Sequence, residues 1–345
     1  MKKVLSLALA AIVAASLFGC ASPQETLVIY TWAEYVPSEV VADFERDTGI
    51  KVVYATFSTN EEMLAAFEQK TDQYDVILCS DYIIRQMIEA GGLLKELDTE
   101  RIANYGNIDP FYQSKHFDPD NKYTIPYAFS SALLVYDSAR VDFPVTKYAD
   151  LWDESFEGSI VLLDGARDIL GLTLMMMGES INETDPEILE QVRQKLLELK
   201  PNVVAFNADT PHESLIRGDA KAGYMFASQY VAAKEAVPTI ECAFAEEGIS
   251  SNLDCFVVSA EAPNEDNAYT FLNYVLDGEV SAKMSSITNY ANCNTAAKPF
   301  LPQEFLDNPS INVPPEAAAK AQDYLPLEDG GIAYDIIWTE FKAAN

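Results

Sequence analysis

The chain has 345 residues, of which 54 are acidic and 23 are lysine or arginine, and its formal net charge at pH 7 is −31. This charge argues against nucleic acid and anionic lipid as partners, because both are themselves negatively charged. It suits a cationic ligand, although many secreted bacterial proteins are acidic, so the charge alone is weak support.

The N-terminal segment predicts export. Two lysines precede an apolar run over residues 4–17, which has signal-peptide length and is too short to span a bilayer stably. The run closes in Leu-Phe-Gly-Cys, which resembles the lipobox of bacterial lipoproteins, where the cysteine becomes the lipidated first residue. We therefore expect a signal peptide over residues 1–20, a lipid anchor on Cys20 and a periplasmic or other extracytoplasmic location. Cleavage without lipidation is the alternative.

The next part of the chain alternates strand and helix patterns. Apolar, β-branched runs predict strands over residues 26–30, 52–57 and 74–78. Helices are predicted after each of them, the first capped by Ser38, the second capped by Asn60 and the third running over residues 81–90. This order implies a parallel sheet that is covered on both faces.

A second α/β region is predicted to begin near Trp152. Its predicted helices cover residues 166–177 and a segment that opens at Asp185-Pro186, and helices dominate after Glu265. Its predicted strands cover residues 159–163, 203–206, 224–226, 240–244 and 255–258. A mature chain of roughly 325 residues exceeds what one core usually holds, so we expect two halves with a cleft between them. In open α/β sheets, ligands bind beyond the carboxyl ends of the strands, which makes the residues there candidates.

Two aromatic residues and a carboxylate directly follow the first predicted strand. Trp32 and Tyr35 flank Glu34. An aromatic face attracts a cation by roughly 0.5–2 kcal/mol, and a carboxylate gives an ammonium group a charge-assisted hydrogen bond. The pattern indicates a site for a protonated amine, although two aromatic residues packed in a core beside a solvated Glu34 would have the same sequence.

The string Trp-Ala-Glu-Tyr-Val-Pro at residues 32–37 resembles the opening motif of bacterial spermidine/putrescine-binding proteins, the substrate-binding proteins of polyamine ABC importers. The similarity runs in the same order through nearly the whole mature chain. Its other landmarks lie at residues 80–82, 119–126, 151–152, 156–158, 200–207, 271–274 and 289–296. Agreement over this length is specific for the family and less so for the ligand.

The resemblance implies an α/β, two-lobed periplasmic-binding-protein fold of type II, in which each lobe is a central sheet flanked by helices. We expect lobe 1 to hold residues 24–130 and 255–300, and lobe 2 to hold residues 131–254 and 301–345. The implied function is capture of a polyamine, spermidine or putrescine, by hinge closure and delivery to an ABC permease in the cytoplasmic membrane. We expect a monomer without enzymatic activity, cofactor or metal.

The resemblance also places nine residues in the cleft. Trp32, Glu34 and Tyr35 would line it from lobe 1, Ser80 and Tyr82 would form its floor, Asp168 would be an acidic ligand, Phe226 and Tyr290 would be aromatic walls, and Asp254 would be the central acid that pairs with an ammonium group. Each buried ammonium of a polyamine should have an acidic or polar partner, because burying an unpaired charge costs several kcal/mol.

Three positions depart from the family's pattern. Asn252 stands where an aromatic residue is common, Gly165 stands where spermidine-selective members carry another acid, and Phe226 replaces the usual tryptophan. These departures leave the preferred polyamine open and keep another cationic or small organic solute as an alternative. A sensor that reports polyamine to a membrane signalling protein is a further alternative. An enzyme on this scaffold would need a catalytic constellation, which the sequence does not reveal.

Four cysteines follow position 20, namely Cys79, Cys242, Cys255 and Cys293. They allow three pairings, and the sequence cannot choose among them. We expect buried free thiols, and a Cys242–Cys255 bridge across a hairpin is the first pairing to test. The two histidines, His116 and His212, lack metal-binding spacing.

Overall fold

A computed structural model describes residues 24–33, 35–327 and 330–344 of the chain. The predicted signal peptide, the predicted anchor Cys20 and the predicted ligand Glu34 lie outside these residues. Within these ranges no helix combines the length and the apolar character needed to cross a membrane.

The secondary structure consists of strands and helices that alternate along most of the chain. The strands are β1 (Thr26–Thr31), β2 (Lys51–Thr56), β3 (Val76–Ser80), β4 (Ile125–Ser130), β5 (Ala132–Asp137), β6 (Ile160–Leu162), β7 (Val203–Phe206), β8 (Ala222–Phe226), β9 (Ile240–Ala243), β10 (Ile249–Val258), β11 (Ala291–Asn292) and β12 (Ala321–Asp323). The α-helices are α1 (Ser38–Thr48), α2 (Asn60–Phe67), α3 (Asp81–Ala90), α4 (Ala166–Met177), α5 (Pro186–Leu199), α6 (His212–Ile216), α7 (Ala227–Ala236), α8 (Glu265–Val275), α9 (Gly278–Thr288), α10 (Gln303–Leu306), α11 (Pro315–Ala318) and α12 (Gly330–Ala343).

The first sheet has the strand order β11-β4-β10-β3-β1-β2, and β12 lies beside the first half of β10. The strand β1 pairs in parallel with β2 and β3, as predicted. The strand β10 is antiparallel to both β3 and β4, so the sheet is mixed and the predicted parallel order holds only for β1, β2 and β3. The physical reason is that β10 reaches this sheet from the second sheet and not through a βαβ crossover.

The second sheet has the order β7-β6-β8-β5-β9, with β6 parallel to β7 and β8 and with β5 antiparallel to β8 and β9. We call the part of the molecule built on the first sheet lobe 1 and the part built on the second sheet lobe 2. One residue, Ser131, separates β4 from β5 and carries the chain from one sheet to the other. The chain returns through β10, whose residues 252–258 pair within the first sheet.

Helices pack on both faces of each sheet. The side chains of β3 show this for the first sheet, because they point alternately to its two faces. Ile77 and Cys79 pack in the apolar cluster that includes α2 and α3, and Leu78 packs in the cluster that includes α1 and α8. On the second face, Phe44 of α1 packs edge to face on Phe271 of α8, with their ring centroids 5.4 Å apart. The sheets thus form a close-packed frame, which holds the strand ends in fixed positions.

Two helix starts differ from the prediction. The side chain of Thr59, not that of Asn60, caps α2 by accepting a hydrogen bond from the Glu62 backbone N–H. Ser38 is the first residue of α1 and makes no capping bond. At α5 the predicted cap is confirmed, since Asp185 accepts from two backbone N–H groups. Because Thr59 caps α2, the Asn60 amide is available for contacts elsewhere.

All four described cysteines carry free thiols. The Cys242–Cys255 bridge is not formed, because Cys242 lies on β9 in the second sheet and Cys255 lies in the part of β10 that belongs to the first. Cys255 instead lies opposite Cys79 of β3. The expected buried free thiols are therefore present at Cys79, Cys255 and Cys293, and Cys242 is only partly buried.

Candidate functional site

A cavity of 1090 Å³, here called the cleft, is lined by residues of both lobes. It contains every described residue that the resemblance placed in it. These are Trp32, Tyr35, Ser80, Tyr82, Asp168, Phe226, Asp254 and Tyr290. The described residues predicted for the binding site therefore lie around one cavity, and their role in binding stays a prediction.

The strand ends explain why these residues meet. The strands β1, β2 and β3 run in parallel, so their carboxyl ends lie at one edge of the first sheet. Trp32 follows β1, residues 58–61 follow β2, and Ser80 ends β3. On the opposite lobe, Phe226 ends β8 and Asp168 lies in the first turn of α4.

Asp254 is a carboxylate that lies in β10 and is only 6% exposed. Its Oδ2 accepts a hydrogen bond from the Tyr35 hydroxyl at 2.6 Å, and its Oδ1 accepts one from Ser80 Oγ at 2.7 Å. Burial raises the pKa of Asp254, and these two hydrogen bonds lower it. Among the described residues, no basic side chain forms an ion pair with it. A cation bound here would therefore offset the cost of burying this charge.

The floor of the cleft is a chain of hydrogen bonds that begins at Asp254. The Asn60 amide donates to both Ser80 Oγ and the Tyr82 hydroxyl, in each case at 3.1 Å. The Tyr82 hydroxyl in turn donates to Glu61 Oε1 at 2.9 Å. Asn60 and Glu61 were not among the predicted residues, although their position just after β2 satisfies the same strand-end rule.

Aromatic rings surround Tyr35 beside this carboxylate. The ring centroid of Trp32 lies 5.4 Å from that of Tyr35, and those of Tyr127 and Tyr290 lie 5.3 Å from it, all in edge-to-face geometry. The Tyr290 hydroxyl also accepts a hydrogen bond of 3.0 Å from Ser228 of lobe 2. Burial raises the pKa of Tyr290 to about 12, so its hydroxyl is uncharged at neutral pH. These contacts hold the aromatic walls in place.

Asp168 supplies a half-buried carboxylate on the lobe 2 side. The Tyr324 hydroxyl donates to its Oδ1 at 3.4 Å. Burial and then the negative charge of Glu61 raise the pKa of Asp168 to about 6, and the Tyr324 hydrogen bond and the Arg167 charge oppose this rise. A Cβ atom at Gly165 would lie 2.2 Å from Asp168 Oδ2, so the missing side chain provides the space that this carboxylate occupies.

Arg167 places a cation in the lining of the cleft, which the sequence analysis did not foresee. Its guanidinium carbon lies 5.0 Å from the ring centroid of Tyr324, 5.5 Å from that of Tyr82 and 5.6 Å from that of Tyr334. Its terminal nitrogens donate to the Leu325 carbonyl and to the Asn182 side chain. The charge is therefore held by aromatic rings and neutral acceptors.

The positions that depart from the family's pattern also border this cavity. Asn252, Phe226 and Gly165 all line the cleft. Asn252 is buried, with its side chain among those that line the cavity. The departures are therefore in the part of the molecule where ligand preference would be determined.

Residues 39–313 match the bacterial extracellular solute-binding protein family. This chain belongs to that family. The solute-binding protein is 32% identical to the spermidine/putrescine-binding periplasmic protein 1 of Haemophilus influenzae, over a gapped alignment of 362 positions that covers 100% of both chains. It is also 32% identical to the spermidine/putrescine-binding periplasmic protein of Escherichia coli over 327 residues, or 94% of each chain.

Solved structures show the same architecture. A structure from Listeria monocytogenes aligns with a TM-score of 0.88 at 30% identity and covers 93% of this chain and 100% of that one. The spermidine/putrescine ABC transporter substrate-binding protein PotD from Streptococcus pneumoniae aligns with a TM-score of 0.78 at 32% identity and covers 92% of this chain and 98% of that one. The predicted two-lobed fold of this solute-binding protein is confirmed.

Proposed function

We propose that this solute-binding protein captures a polyamine, spermidine or putrescine, and delivers it to the permease of an ABC importer. The observation that carries the proposal is Asp254, a buried carboxylate without a basic partner among the described residues and close to aromatic rings. A protonated amine would supply the missing charge, and the rings would add a cation–π attraction. The names of the relatives agree with this ligand class.

The second end of a polyamine needs a second acid. Asp168 lines the same cleft from lobe 2 and is only partly exposed. Trp32, Tyr35 and Tyr290 offer apolar surface to the methylene groups between the two amines. A ligand with two separated positive charges would therefore satisfy acids of both lobes at once.

The proposed mechanism of capture is hinge closure. The chain passes between the lobes at Ser131 and through β10, and by the proposed bounds it crosses once more after residue 300; these crossings would act as the hinge. We propose lobe 1 as residues 24–130 and 252–300 and lobe 2 as residues 131–251 and 301–345, which moves residues 252–254 from the expected lobe 2 to lobe 1 because they pair within the first sheet. A polyamine that contacts both lobes binds the closed form more tightly, so it shifts the population towards that form.

The closed form would dock on the permease as a monomer tethered outside the cytoplasm through Cys20. Mass spectrometry of the N-terminal peptide from detergent-extracted protein tests the tether. We expect a diacylglyceryl adduct on Cys20, and an unmodified cysteine or a cleavage site elsewhere would contradict the lipid anchor.

Isothermal titration calorimetry tests the ligand. The mature chain, freed of ligand by unfolding and refolding, is titrated separately with putrescine, spermidine, cadaverine and 1,4-butanediol as the neutral control. We expect at least one polyamine to bind with a Kd of about 1 μM or below and the diol not to bind. Absence of binding to every polyamine, with circular dichroism showing folded protein, would contradict the proposal and favour another cationic or small organic solute.

Measurement of polyamine uptake by cells with and without the gene distinguishes a role in transport from a role in sensing. Cells that lack the gene should take up less radiolabelled polyamine, and the intact gene should restore uptake. Unchanged uptake together with tight binding of the purified protein would indicate a sensor instead of an importer subunit.

A further inference from the structure

Glu61 is an acidic residue of the cleft to which the family resemblance assigned no role. It is the second residue of α2 and lines the cleft from lobe 1. We infer that Glu61 is a ligand of the polyamine's distal amine and that it binds this amine together with Asp168 of lobe 2. The inference rests on the proposed function and specifies how the second amine is held.

The floor of the cleft fixes the Glu61 carboxylate. Tyr82, which is buried, donates its hydroxyl hydrogen to Glu61 Oε1 at 2.9 Å, and the Asn60 amide donates to the Tyr82 hydroxyl. Glu61 forms no ion pair with a basic residue in the described part of the chain. One carboxylate oxygen is thus anchored, and the negative charge is available to a ligand.

Glu61 and Asp168 line the same cleft from opposite lobes, and their negative charges repel each other. The charge of Glu61 is the largest cause, after burial, of the raised pKa of Asp168. Two carboxylates on opposite lobes resist each other's approach when nothing lies between them. An ammonium group between them would replace this repulsion with two attractions, so it would favour closure of the lobes.

Gly165 carries no side chain, so lobe 2 supplies no second carboxylate from this position. Oδ2 of Asp168 lies 2.2 Å from the position of a Cβ atom at residue 165, so an acidic side chain could not be placed there without moving Asp168. The Arg167 guanidinium also lines the cleft, and it would repel an ammonium group placed next to it. The distal amine is therefore best placed between Asp168 and Glu61.

The test is the variant Glu61→Gln, which keeps an oxygen acceptor for Tyr82 and removes the charge. Calorimetry measures the affinity for putrescine, which has an amine at each end, and for n-butylamine, which has the same carbon chain and a single amine. We expect the affinity for putrescine to fall roughly tenfold, between the small effect of an exposed ion pair and the larger effect of a buried one. The affinity for butylamine should change by less than about twofold, because Asp254 would hold its single amine.

Glu62→Gln is the matched control. Glu62 is the next residue of α2, its carboxylate accepts from the Ser58 backbone N–H at 3.2 Å, and it does not line the cleft. This variant should bind both amines as the wild type does. A double variant with Asp168→Asn adds a second readout, since the putrescine loss from Glu61→Gln should shrink when the partner acid is absent.

Three outcomes would overturn the inference. Equal losses for putrescine and butylamine in Glu61→Gln would show that Glu61 only supports the floor. An unchanged affinity for putrescine would show that the distal amine does not contact Glu61. Failure of folded wild-type protein to bind putrescine or any other polyamine would instead overturn the proposed function, and the inference with it.

Discussion

The two ends of the cleft hold their carboxylates in different ways. Asp254 lies within a strand of lobe 1, and hydroxyl groups of the same lobe occupy both of its oxygens. Asp168 and Glu61 lie in the first turns of helices on opposite lobes, and each has one hydroxyl donor. We therefore expect the Asp254 end to be organised before a ligand arrives and the Asp168 end to be completed by the proposed closure of the lobes. We expect the first to determine most of the affinity and the second to recognise the length and charge of the ligand.

Replacement of Asp254 should have the largest effect. Asp254→Asn removes the buried charge and preserves the side-chain shape, so we expect a loss of about 2–5 kcal/mol in polyamine binding free energy. Calorimetry with putrescine and with butylamine measures this loss, which should be similar for both ligands. A thermal unfolding curve like that of the wild type verifies that the variant is folded.

Asp168→Asn should cost less, about 1.5–3 kcal/mol in the binding free energy of putrescine. The reason is that Asp168 is less buried than Asp254 and, in the proposed arrangement, shares the distal amine with Glu61. Butylamine, which lacks the distal amine, should bind nearly as it does to the wild type. Losses for putrescine that equal or exceed those of Asp254→Asn would show that the two ends of the cleft have been assigned the wrong way round.

Acidification should weaken polyamine binding through Asp168. Its pKa is about 6, because burial and Glu61 raise it against the opposing effects of Tyr324 and Arg167. An ammonium group prefers the ionised carboxylate, so binding below pH 6 must release a proton. The affinity should be nearly constant from pH 7 to 8 and fall by up to about tenfold per pH unit below 6.

Calorimetry of the wild type and Asp168→Asn between pH 5 and 8 measures this dependence. In the variant, the fall in polyamine affinity near pH 6 should be absent. The stability of the fold should change in the matching direction. A raised pKa in the native state means that ionised Asp168 destabilises the fold above about pH 6, and this cost disappears as the pH falls and the carboxylate is protonated. A step of the same size near pH 6 in the variant would assign the titration to another group.

The smallest expected effect concerns the contact between lobes. Ser228→Ala removes the hydrogen bond from lobe 2 to the Tyr290 hydroxyl, and we expect polyamine binding to weaken by about 0.5–1.5 kcal/mol. Ser138→Ala is the matched control, since Ser138 donates to the Thr239 carbonyl outside the cleft. The control should leave affinity unchanged. Equal affinities of the two variants would show that the Ser228 contact does not favour the closed form.

Much of the fold and the principal cleft residues could be predicted because they depend on local patterns and on a family resemblance that runs along the chain. The helix over residues 166–177 and the strand over residues 203–206 have the predicted bounds, since their apolar runs are bounded by clear turn residues. The strand β10 was predicted only over residues 255–258 and begins at Ile249. Its polar Ser-Ser-Asn stretch has the composition of a loop, and its burial depends on distant strands.

The residues that sequence reasoning missed depend on tertiary structure. Asn60 has the pattern of a helix cap, and only the geometry shows that Thr59 takes this role and leaves the amide to the floor of the cleft. Arg167 becomes part of the lining because three tyrosines from separate segments converge on it. Glu61 has the sequence of an ordinary exposed acid in a first helical turn, and only the structure shows that it lines the same cleft as Asp168.

A crystal structure of the mature protein with bound putrescine tests the central claim most directly. We predict that one amine nitrogen lies about 2.7–2.9 Å from an Asp254 carboxylate oxygen and that the other lies between Asp168 and Glu61, with the lobes closed around the ligand. A ligand bound elsewhere, or one that leaves Asp254 in contact only with Tyr35 and Ser80, would contradict it.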